Sequence, residues 1–90
     1  MKAIISVIGK DTVGILAKVS DACAKASVNI IEVTQSVLQD MFAMIMLVDI
    51  SKLNVDFAEM ADALSKKGEE EWGLKVLAMH EDIFNCMHHI

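Results

Sequence analysis

The apolar positions change period several times along the chain. Residues 2–8, KAIISVI, are a short β-branched run that stops at Gly9, which predicts a buried strand. Between Val13 and Ala26, the residues Ile15, Val19, Ala22, Cys23 and Ala26 recur at helical spacing, with Lys18, Asp21 and Lys25 opposite. Asp11 or Thr12 is placed to cap that helix. NIIEVTQSVL then alternates, Ile31, Val33 and Val37 against Glu32, Thr34 and Ser36, as a half-exposed strand does. The chain reverses around Gln39-Asp40-Met41, and FAMIMLVDI drops the alternation. Phe42, Met44, Met46 and Val48 oppose Ala43, Ile45 and Leu47, so both faces of this strand are expected to be covered.

A second helix follows. Asp56 and Glu59 have the spacing of a capping box, and Val55 and Met60 that of a hydrophobic staple. Phe57, Met60, Ala61 and Leu64 supply its buried stripe, and Gly68 marks its end or last turn. GEEEWG, a solvated helix end, leads into a last strand, LKVLAMHEDI. The order β-α-β-β-α-β predicts an α+β, ferredoxin-like fold: a four-stranded antiparallel sheet with two helices on one face. One domain over residues 1–83 is expected, with 84–90 as a tail that extends as a short helix. Two helices cover one face only, so the doubly apolar third strand calls for a second copy on the other.

Composition narrows the function. Ninety residues make one small domain with a core but no deep private cavity. The hydrophobic fraction is 54% with 4% aromatics, so Ile, Val, Leu, Ala and seven Met build that core. The net charge is -5, and every basic residue is a lysine. An acidic, arginine-free, aromatic-poor surface argues against nucleic acid and removes the bidentate clamp for phosphate or carboxylate. Cys23 falls on an apolar helix face, where a buried free thiol is expected, and forms no CxxC with Cys86. The N-terminal apolar run is too short for a signal segment, and nothing approaches the roughly 20 apolar residues of a membrane span. A cytoplasmic protein without membrane contact is the expectation.

The stretch VIGKDTVGIL, residues 7–16, has two glycines five apart between a strand and a helix. A phosphate loop needs Lys and Ser or Thr after the second glycine, and here Ile15 and Leu16 stand there. What remains is a corner whose first-turn N–H groups are open donors at the positive end of a helix. Such a corner receives a small anionic or zwitterionic ligand, with Asp11 beside it to accept from an ammonium group. The structural alternative is that Gly9 ends a strand, Asp11 or Thr12 caps a helix, and Gly14 permits tight helix–sheet packing. Asn29, whose amide both donates and accepts, is a candidate reader of a carboxylate or amine. Otherwise it is a turn residue after a helix.

The run GKDTVGILAKVSDACAKASVNI resembles the opening of an ACT domain, and the resemblance extends over the whole chain. VIGKDTVGILAKVS, MIMLVD and HEDIFNCMH, in that order, are similar to blocks of the small stand-alone ACT proteins of the UPF0237 family. The resemblance implies a βαββαβ module that dimerises, often side by side through second strands, and binds an amino acid at the interface. Carried over by position, the contacts are Asp11, Thr12, Val13 and Gly14 from one chain, and Asn29, Ile30 and Ile31 across the interface. An acidic Asp11, where relatives commonly carry Asn or His, changes the ligand charge tolerated. Asp40 stands where a glycine is frequent in the hairpin, and Asp tolerates the left-handed conformation.

The expected function is a non-catalytic regulatory module that binds a small metabolite, an amino acid, as a homodimer or higher homo-oligomer. With no attached enzyme it would act by docking onto a protein partner. No cofactor is called for. The same fold hosts acylphosphatases, which use an arginine in the first loop, and this chain has none. The alternatives are a constitutive interaction module, or metal binding through His80, Cys86, His88 and His89, which no paired spacing organises.

Overall fold

The central strand is set by Ala3, Ile5 and Val7, which all point to one side and are fully buried there. The computed structural model describes residues 1–10 and 13–82. Its elements are β1 (Lys2–Lys10), α1 (Ile15–Lys25), β2 (Asn29–Leu38), β3 (Met41–Asp49), α2 (Phe57–Lys67), a π-helical turn (Gly68–Trp72) and β4 (Leu74–His80). The sheet order is β2-β3-β1-β4 and every pair is antiparallel. Both helices lie on one face, as the pattern predicted. Ile15, Val19 and Cys23 of α1 and Met60 and Leu64 of α2 close on Ile5, Val7, Met44, Met46, Val48 and Val76. Each such buried aliphatic or Met side chain is worth about 1.5–3 kcal/mol in transfer free energy, so this single layer carries the fold.

Among the described residues no helix covers the other face of the sheet, where Ile4 is buried but Ile8, Ile45 and Leu77 are exposed. On β3, Phe42, Met44, Met46 and Val48 are buried while Ala43 and Ile45 are exposed and Leu47 is partly so. Only the helix face of the doubly apolar strand is therefore covered by the chain's own helices. β2 departs further from expectation. A bulge between Ile30 and Glu32 breaks the alternation, leaving Ile31 exposed and turning Ile30 toward Val48 and the core. The strand is exposed along nearly its whole length, rather than half-exposed.

Local details correct several expectations. α1 is capped by Gly14 with no side-chain cap hydrogen bond, and Asp11 and Thr12 lie outside the described residues. Asp56 does cap α2 by position, its carbonyl accepting from the Met60 N–H at 3.0 Å, but its side chain makes no cap bond and Val55 is exposed. In the hairpin the left-handed residue is Gln39 (φ 58), not Asp40, which puts the positive φ at the first turn position as a type II′ turn requires. The last strand ends at His80, whose ring stacks on Phe57 with centroids 4.1 Å apart. The tail, with Cys86, His88 and His89, lies outside the described residues.

As the pattern predicted, α2 ends at Lys67 and Gly68 caps it, though not as a left-handed stop. Its backbone stays right-handed (φ -58), and the chain runs on through the π-helical turn to Gly73, while Glu69, Glu70 and Glu71 face solvent. What Gly68 provides is closeness: a Cβ there would sit 2.6 Å from Val76 Cγ2 and 2.9 Å from the Leu74 carbonyl oxygen. Gly68→Ala should lower stability by about 1–3 kcal/mol through this overpacking, despite the better helix propensity of Ala. Thermal denaturation should then show a melting point lower by roughly 5–20 °C.

Cys23 is the buried free thiol the pattern predicted, and burial pushes it up to about 11 from 9.0. The neutral thiol is the form the core holds, so raising the pH to 9 should not make it reactive in the folded state. In a Cys86→Ser background, a thiol reagent should label Cys23 only as fast as the protein opens. Denaturant should accelerate that labelling strongly.

Candidate functional site

The two ends of α1 present the candidate residues. At its start Gly14 adopts φ 83, ψ 16, a left-handed conformation that costs an L-residue about 1–2 kcal/mol. Among the described residues nothing lies within 4 Å of where a Cβ would be, so it is the backbone angle that calls for Gly14. Close approach belongs to Gly9 instead. Gly9 lies inside β1, paired with Phe42 and Leu74, and a Cβ on it would meet Leu74 Cδ2 at 2.6 Å. The Gly14 carbonyl accepts the first helical bond from the Lys18 N–H at 3.0 Å. The N–H groups of Ile15, Leu16 and Ala17 precede that bond and have no intrahelical acceptor. Val13, at 96% exposure, stands beside them in solvent.

The far end of α1 is built as a Schellman motif. The Val28 N–H donates to the Cys23 carbonyl at 2.8 Å and the Ser27 N–H to the Ala24 carbonyl at 3.1 Å. Ser27 takes the left-handed position (φ 61) usually filled by glycine. Asn54, from the loop after β3, steadies it: its Nδ2 donates to the Lys25 carbonyl (3.0 Å) and Ser27 Oγ (3.3 Å), and its N–H to the Ala26 carbonyl (3.2 Å). The turn is thus made by Ser27, and Asn29 is not a turn residue. It opens β2, exposed, opposite Asp49.

The sequence-predicted residues therefore fall into two groups. Val13 and Gly14 are together at the start of α1. Asn29, Ile30 and Ile31 are together at the start of β2, where Ile30 offers its backbone because its side chain packs on the core. The 11 residues of α1 separate the groups by about 16 Å at 1.5 Å per residue. One small molecule cannot bridge them within a chain.

Beside Asn29 lies a group that the sequence reading missed. Asp49 Oδ1 accepts from the Ser51 N–H (2.8 Å) and Ser51 Oγ (2.6 Å). The α-ammonium of Met1 donates to Ser51 Oγ at 3.0 Å and lies 3.9 Å from Asp49 Oδ1. The Ser51 hydroxyl and N–H hold the Asp49 carboxyl below its ordinary range. Asp followed two residues later by Ser at a strand end is the local signal that finds this turn.

The ACT-domain family model matches residues 2–77. A UPF0237 protein of Methanocaldococcus jannaschii is 47% identical over 89 residues, covering 99% of this chain and 98% of that protein. Among solved structures, an ACT domain protein from Streptococcus pneumoniae superimposes with a TM-score of 0.81 at 36% identity, covering 93% of each chain. The ligand-free regulatory subunit of aspartate kinase from Thermus thermophilus gives 0.64 at 30% identity, covering 87% of this chain and 50% of that one. With its βαββαβ order, antiparallel sheet and single helical layer, this chain belongs to the ACT-domain family and, within it, to the UPF0237 proteins.

Proposed function

We propose that the protein is a non-catalytic, cytoplasmic regulatory module that binds an amino acid at a homodimer interface built on β2. The observation that carries this reading is the edge of β2. It is ten residues long, exposed along nearly its whole length, and carries one charge, Glu32, with no proline. Protein edges of this length are ordinarily blocked by charge, proline or a covering element. An uncovered one is a template for another strand.

Pairing of β2 with the same strand of a second copy, antiparallel about a two-fold axis, reverses the strand. Asn29 of one chain then comes beside the partner's Leu38. Leu38 pairs with Met41, and Met41 with Lys10, the last residue of β1 before the Gly14 corner. The Asn29 group of each chain thereby meets the Gly14 group of the other, and the separation along α1 ceases to matter. Exposed apolar side chains gather at that same end: Val13, Val37, Leu38 and Met41, with Leu38 77% exposed. The kinship with a kinase's regulatory subunit agrees with a role in sensing rather than chemistry.

A ligand that bridges two chains stabilises the dimer by RT ln(1 + [L]/Kd), about 2.7 kcal/mol at a hundredfold excess over Kd. For a domain of this size that is a rise in melting point of roughly 10 °C or more. Thermal-shift measurements with each of the twenty amino acids should show such a rise for at least one. Gly14→Val and Asn29→Ala should each abolish it, and light scattering should report a dimer. An intact dimer with no shift for any amino acid would favour a constitutive interaction module instead. A monomer at micromolar concentration would overturn the shared site.

A further inference from the structure

The groove at the start of β2 has a volume of about 440 Å³ and is lined by Ser27, Val28, Asn29, Asp49, Ser51 and Lys52. That is room for a small metabolite. Its polar groups are unspent in a particular way. Both hydrogen bonds to Asp49 from Ser51 end on Oδ1, and among the described residues none reaches Oδ2. Lys52 makes no ion pair, and the Asn29 amide makes no side-chain hydrogen bond, again among the described residues. Asp49 is held in place by the Ser51 turn, so its free oxygen has a fixed direction.

A single negative acceptor, a single lysine and an amide with both functions therefore share one floor, with Val28 as its apolar part. A simple cation on Asp49 would leave Lys52 unmatched. A divalent metal ion would find one carboxylate where it needs several oxygen ligands.

We infer that this groove is the charge-reading half of the ligand site, with Asp49 accepting from the α-ammonium of a free amino acid and Lys52 pairing with its α-carboxylate. Asn29 bridges the two. The inference rests on the amino-acid reading above and adds Asp49 and Lys52 to the residues that carry it. Specificity for the unblocked zwitterion is its consequence, since either charge, once removed, strands its partner group.

The test is calorimetric titration of the full chain with the twenty amino acids, each beside its N-acetyl and carboxamide derivatives. For an amino acid that binds, either blocked derivative should bind at least about tenfold more weakly, which is 1.4 kcal/mol. Asp49→Asn should weaken the free amino acid by a similar factor while leaving the N-acetyl derivative unchanged. Lys52→Gln should do the same with the carboxamide left unchanged. Both side chains are exposed, so unliganded melting points within a degree or two of wild type should verify the fold. If both variants bind the free amino acid as wild type does, the inference is overturned while the amino-acid reading stands. If wild type binds none at millimolar concentration, both fall.

Discussion

A sheet strand has hydrogen-bonding groups on two sides, and among the described residues β2 has a partner on one of them. The rest of the molecule is arranged around that imbalance. β1 and β3 are satisfied on both sides within the chain, and their buried side chains lock the helices to one face. The free edge of β2 is left as an invitation that neither helix answers. The candidate residues for ligand binding sit at the two ends of the helix that runs behind this edge. They are too far apart for one small molecule to bridge within a chain.

The helix itself is held at both ends by backbone geometry rather than by side-chain caps at its start. Gly14 opens it in a left-handed conformation. Ser27 closes it in another, at a cost offset by the hydrogen bonds from Asn54. Those constraints fix where the first-turn N–H groups point and where Asn29 begins its strand. The groove around Asp49 and Lys52 adds two opposite charges next to Asn29 on a floor that the Ser51 turn makes rigid. In the dimer proposed above, ligand binding would be coupled to association through one helix and one strand edge.

Much of this was legible in the sequence because it rests on local periodicity. Alternation and helical spacing are imposed by burial of one face, and they identified the six main elements and the order βαββαβ. The blocks VIGKDTVGILAKVS, MIMLVD and HEDIFNCMH carried the family. What escaped depends on three-dimensional proximity. The bulge at Ile31 leaves no composition signal, and the capping of α1 by Asn54 spans 29 residues to Lys25. The close approach expected at Gly14 falls instead at Gly9, inside β1 rather than at its end, because spacing does not tell a backbone angle from a steric approach. Gln39 and Asp40 are adjacent, and only the turn type decides which takes the positive φ. Asp49, Ser51 and Lys52 form a group only because β2 starts beside the end of β3.

The most direct test of the central claim is amide hydrogen exchange along Asn29–Leu38, followed as a function of protein concentration. The alternate amides that point away from β3 should be protected at concentrations where light scattering finds a dimer, and should exchange rapidly on dilution to monomer. Exchange of those same amides that stays fast in the dimer would contradict pairing through β2, and with it the ligand site shared between chains.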